Sequence, residues 1–160
     1  RPRDWSSDVC SSIYAAITGE QFIGARSIWS TGALSQLFLS FAEPQAVGLS
    51  AIGGLLQPVG RRENDGLQIT FGSGGCRLLA PVAPGVLSEV DIAHWQPLQY
   101  GVPQPTLLRK GVIAVDGERE LSFNPTQRVI ISLRERAFRT LDINACLHYP
   151  SQAQSLRHGA

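Results

Sequence analysis

The feature that most constrains this chain is Asp116-Gly117. It stands between the apolar run Gly111-Val-Ile-Ala-Val115 and an alternating stretch ending at Phe123. Two strand-like runs joined by Asp-Gly predict a β-hairpin, because the turn needs positive φ and these residue types accept it. A plain hairpin accounts for Asp116 and Gly117. It accounts less well for Glu118, Arg119 and Glu120 directly behind an apolar strand. Charge clustered at a strand end offers a place to hold a polar ligand.

Turn signals divide the rest of the chain in the same way. The sequence holds 16 glycines and 10 prolines among 160 residues, a balance that favours a turn-rich β protein over a helical bundle. Ile13–Ile17 reads as a buried strand. Leu67, Ile69 and Phe71 alternate with Gln68 and Thr70, giving a half-buried strand, with Ser73-Gly-Gly75 as a turn and Cys76–Ala80 as the returning strand. Pro81 and Pro84 make the next segment an edge or a crossover loop, since each removes a ladder donor. Asn124-Pro-Thr126 turns the chain, Val129, Ile131 and Leu133 form another alternating strand, and Leu141–Ile143 is a candidate last one. Leu34, Leu37, Phe38 and Phe41 fall at helical spacing, with Ser30 or Thr31 as N-cap and Pro44 as the stop, so one amphipathic helix is expected over 31–41. The expected architecture is mainly β, sandwich-like or barrel-like, in one domain.

Charge and cysteine usage exclude several classes. Charged residues make up 17% and the formal net charge is +1, so no basic field favours nucleic acid or an anionic membrane. No apolar run reaches the length of a membrane span. The three cysteines, Cys10, Cys76 and Cys146, are far apart and odd in number. That argues for a reducing, cytoplasmic compartment and against a disulfide framework. No Cys/His cluster has metal spacing. Neither a G-x-S-x-G elbow nor H-E-x-x-H occurs. His94, beside Trp95, reads as a packed surface residue. The segment Ala46–Pro58 carries Gly48, Gly53 and Gly54 among small and apolar residues. Such glycines permit close backbone approach to a ligand or to a neighbouring strand. Spacing alone does not decide between them.

Four segments in order resemble the ATP-NAD kinase family, in the branch close to acetoin catabolism protein X. They are Thr18-Gly19 with Ile28–Leu34, Val47–Val59, Leu79–Gly85 and Ile113–Glu120. The resemblance runs from about Tyr14 to about Asp142. It implies a fold like the C-terminal NAD-binding domain of NAD kinases. Asp116 matches the acidic residue of the family's Asp-Gly strand, and contact with a ribose hydroxyl of NAD is implied for it. A carboxylate suits that task as an acceptor for a diol. Gly117 would keep the backbone open there. Ser50, Gly53 and Gly54 fall where the family's small-residue dinucleotide-binding stretch lies, although its Thr-Pro-Thr-Gly-Ser-Thr-Ala-Tyr form is not present. The family's Gly-Gly-Asp-Gly motif, which supplies the catalytic Asp, is absent, and Glu118-Arg119 replaces the more usual neutral residue after Asp-Gly.

The resemblance implies a single dinucleotide-binding β domain over 13–148, followed by a polar tail over 149–160. The catalytic α/β half is expected upstream, so no catalytic residue and no metal ligand is assigned in this chain. Asp4–Ser12 resembles the translation of a sequencing adapter, and 1–12 is set aside from fold reasoning. The expected function is NAD binding within an NAD kinase-like phosphotransferase. ATP and Mg2+ serve the complete enzyme, and a homo-oligomer is compatible with the family. The alternative is a nucleotide-sensing β domain without kinase chemistry.

Overall fold

The structure is a computed structural model that describes residues 14–19, 31–60, 65–116 and 119–134, with isolated positions at 146, 148, 152 and 153. Its centre is a six-stranded antiparallel sheet in the order β4-β3-β2-β1-β6-β7. The strands are β1 (Tyr14–Thr18), β2 (Leu34–Leu39), β3 (Asp65–Ala83), β4 (Val86–Gln99), β6 (Gly111–Val115) and β7 (Arg119–Phe123). A small ribbon pairs β5 (Gln104–Pro105) with β8 (Ile130–Ile131). One helix, α1 (Leu49–Leu56), connects β2 to β3. The mainly β expectation holds, and the Asp-Gly hairpin is the β6–β7 pair, with Gly111 opposite Phe123 and Val115 opposite Arg119.

Two local expectations are corrected. The helix expected over 31–41 is strand β2, preceded by a short 3-10 turn at Thr31–Ala33. β2 is an inner strand, paired with β1 on one side and β3 on the other. Both of its faces are covered, so Leu37 and Leu39 join one core cluster while Phe38 joins the other. A strand buried on both faces carries consecutive apolar residues, and here that run mimics helical spacing. The helix lies instead at Leu49–Leu56, within the glycine-rich stretch. Gly53 and Gly54 each weaken a helix by about 1 kcal/mol relative to Ala. Tertiary packing offsets this, because Leu49, Ala51, Ile52, Gly53 and Gly54 are all buried.

The third correction concerns Ser73-Gly-Gly75. Phe71 and Cys76 both face Ile92, so residues 72–75 are looped out and β3 continues in the same direction. The actual turn is Pro84-Gly85, where Gly85 takes φ 73°. Outward of the bulge β3 pairs with β4 alone, which agrees with an edge role for the proline segment. The bulge also bends the ribbon. Gly53 of α1 lies against Leu67, while the Gly48 N–H just before α1 bonds the Pro81 carbonyl at 2.9 Å. An eight-residue helix is about 12 Å long, and an unbent strand from Leu67 to Pro81 would far exceed that. The outer ribbon therefore folds around α1, bringing Ala80, Val90 and Ile92 into the cluster with Leu39, Ile52 and Ile69.

The opposite face of the sheet carries Ala15, Ile17, Phe38, Leu98, Ile113, Val115 and Phe123. The crossover from β4 to β6 covers it with Leu108, and the β8 segment adds Val129, Ile131 and Leu133. Buried Gln36 fixes the crossover by accepting the Leu107 N–H at 2.7 Å. The expected strand at Leu141–Ile143 lies outside the described residues. Among the described residues no helix is long and apolar enough to cross a membrane.

Candidate functional site at the Asp116 end of the sheet

Asp116 follows the last residue of β6 and takes φ 52°, the only non-glycine at positive φ among the described residues. Asp tolerates the left-handed region better than most residues because its short polar side chain bonds locally. Here the bond goes to the next strand. The Asp116 Oδ1 accepts the Tyr14 N–H at 2.9 Å, and the Asp116 N–H donates to the Tyr14 carbonyl at 3.2 Å. The turn is thereby tied to the first residue of β1. Gly117 and Glu118 lie outside the described residues; the Val115–Arg119 pair leaves three positions, 116–118, in the connection.

Tyr14 faces Leu39 across the β1–β2 ladder, and Leu39 lies beneath Gly53 of α1. Asp116, Tyr14, Leu39 and Gly53 therefore form one row across the end of the sheet. Two strand spacings, about 10 Å, separate the Asp116 strand from β2. Two segments proposed as ligand-binding from the sequence, the Asp-Gly strand end and the glycine-rich stretch, thus share one end of the fold.

Their glycines serve helix packing. A Cβ on Gly54 would overlap the Glu43 carbonyl and stand 2.6 Å from the Pro44 nitrogen. A Cβ on Gly53 would overlap the Leu39 side chain, with Ala42 Cβ at 3.1 Å. The close backbone approach that these glycines permit is between α1 and the β2 end. Ser50 is half-buried on α1.

Tyr14 is the residue of this row that sequence reasoning missed. It is half-buried and packs against the cluster holding Leu39 and Ile52. Burial first, and the charge of Asp116 second, raise its phenol above the ordinary value of 10.0. No motif marks it, because its place beside Asp116 arises from pairing between strands 102 residues apart. His94 is exposed on β4, in agreement with its reading as a surface residue. Cys76 and Cys146 are exposed free thiols.

A second feature lies at the bulge, far from Asp116. Residues 72–77 and Asp91 line an open concavity of about 410 Å³. Arg77 there donates to Asp91 at 2.8 Å and to Glu89 at 3.4 Å, with all three side chains exposed. Among the described residues no group of three or more His, Cys, Asp or Glu could hold a metal ion.

Residues 8–136 match the family model of the acetoin catabolism protein X C-terminal domain. The chain belongs to that family. Acetoin catabolism protein X of Cupriavidus necator (strain ATCC 17699 / DSM 428 / KCTC 22496 / NCIMB 10442 / H16 / Stanier 337) is 46% identical over 146 residues, which is 89% of this chain and 41% of that protein. The chain therefore spans about two fifths of the length of that relative. No solved structure matches the chain.

Proposed function

We propose that this domain is the NAD-binding C-terminal part of an NAD kinase-like phosphotransferase, with Asp116 as the acceptor for a ribose diol. The observation that carries the reading is the position of Asp116. Its carboxylate is held at a strand end by the Tyr14 N–H, in a backbone conformation that aims it across the sheet end. A carboxylate has about four acceptor sites, so it can hold more than one donor at a time. Ser50 offers a hydroxyl from α1. Gly53 and Gly54 act by letting α1 sit close to the β2 end.

In the complete protein the reaction moves the ATP γ-phosphoryl group to the 2′-hydroxyl of the NAD adenosine ribose. This domain holds and orients the acceptor nucleotide. The base for the hydroxyl and the binding of magnesium-ATP belong to the N-terminal part. Magnesium supplies neutralisation of the triphosphate charge, and nothing in the described residues is assigned to hold it. The relative's name ties that protein to acetoin catabolism, and a role in the same catabolism is proposed for the protein that contains this domain.

The packing of Gly53 and Gly54 against protein atoms favours one further reading, a nucleotide-sensing domain without kinase chemistry, since the glycine stretch then needs no phosphate cradle. Measuring NADP formation by the chain and by the corresponding full-length protein separates the two. Turnover by the full-length protein alone supports the kinase reading. NAD binding without turnover in either supports the sensing domain. Absence of NAD binding in both sinks the dinucleotide assignment.

A further inference from the structure

We propose that Tyr14 is a ligand-binding residue, whose hydroxyl donates a hydrogen bond to the ribose that Asp116 accepts from. The inference rests on the dinucleotide reading and adds to it a residue that no motif marks. A ribose diol presents two hydroxyls, each able to donate and to accept. A carboxylate alone satisfies only their donor side. A phenol next to the carboxylate satisfies the acceptor side, so the pair reads a diol more completely than either group does.

Strand pairing at the sheet end makes Tyr14 and Asp116 direct neighbours. Two backbone-level bonds lock the Tyr14 main chain to Asp116. The side chain stands on the α1 face, where Leu39 opposite it in the ladder and the core cluster behind it fix the ring. Tyr14 is only half-buried, at the end of the sheet where Asp116 lies, so a ligand seated there meets a residue partly open to solvent. A ring held this way costs little ordering entropy on binding, which suits a contact meant to orient a ligand. Its raised ionisation keeps the hydroxyl protonated, and so a donor, through neutral and mildly alkaline pH.

The test uses the full chain, NAD as the probe, and the variant Y14F. Calorimetric titration should show NAD binding by the wild type and about tenfold weaker binding by Y14F, the size of one hydrogen bond to a ligand. The Y14F melting midpoint at neutral pH reports whether the ring still packs. A second readout is the alkaline phenolate absorbance of the wild type minus that of Y14F, which isolates Tyr14 from the other tyrosines. Bound NAD should move that transition to higher pH. Equal NAD affinity of Y14F and wild type overturns the role of Tyr14 while leaving the Asp116 site standing. If Y14F melts lower, a phenolate transition unmoved by NAD overturns it. Failure of the wild type to bind NAD overturns the dinucleotide reading itself, a result distinguishable from the first two.

Discussion

Asp116 and Tyr14, 102 residues apart, exchange two hydrogen bonds, one through a side chain at 2.9 Å and one through the backbone at 3.2 Å. The pair converts a hairpin turn into a clamp on the neighbouring strand. Asp116→Ala should lower stability by about 1–2 kcal/mol, since the Tyr14 N–H loses its acceptor and Ala adopts positive φ poorly. Asp116→Asn keeps both an acceptor and tolerance of that backbone, and should stay close to the wild type. Chemical denaturation of the three proteins checks the ordering. A deficit in Asn equal to that in Ala would show that charge is what matters.

The helix glycines give an ordered pair of outcomes. Gly54→Ala should be the more damaging, by about 1–3 kcal/mol, because the added methyl meets the Glu43 backbone. Gly53→Ala meets mainly the end of the Leu39 side chain, which can rotate. Thermal melts of both variants test this. Equal losses would mean that the β2 end moves as readily as a side chain does.

Gln36 predicts a different kind of failure. Gln36→Leu fits the apolar surroundings, yet it strips the acceptor from the Leu107 N–H. Unfolding free energy should fall by about 0.5–1.5 kcal/mol, the net worth of one hydrogen bond, since Leu107 itself is exposed and its N–H can turn to water. Hydrogen exchange should locate the effect, with the Leu107 amide losing protection before the β3–β4 ribbon does.

The alkaline limb of stability should depend on Tyr14. Its folded-state phenol ionises above the ordinary value of 10.0, through burial first and the Asp116 charge second. The unfolded chain therefore gives up this proton first as pH rises. The contribution is fully present below pH 10.0 and is lost as pH climbs through the folded value. Tyr14→Phe should remove this dependence. Melting midpoints on both sides of pH 10.0 make the comparison.

Much of the sheet was legible in the residues. Asp116-Gly117 announced the β6–β7 hairpin, Leu67–Phe71 announced the in-sheet part of β3, and Asn124 announced its turn, where its Oδ1 accepts the Thr126 N–H at 3.0 Å. The errors fall where tertiary contacts overrule local pattern. Leu34–Leu39 looks helical because an inner strand buries both faces, and Leu49–Leu56 looks irregular because its glycines only make sense beneath Leu39 and Glu43. The Ser73 region looks like a turn because a four-residue bulge uses the same residues. At the site, Asp116 could be chosen from its own neighbours in sequence. Tyr14 could not, since only pairing at long range puts the two together.

The place of β1 in the middle of the sheet also shapes how the chain acquires its fold. β1 finds one neighbour in β2 early, but the other, β6, is made about a hundred residues later. At ordinary synthesis rates that delay is on the order of ten seconds. Throughout it Ala15 and Ile17 lie on an open edge, the kind that captures foreign strands. The Asp116 clamp can close only when that wait ends, so folding should be slow and set by one late, long-range pairing.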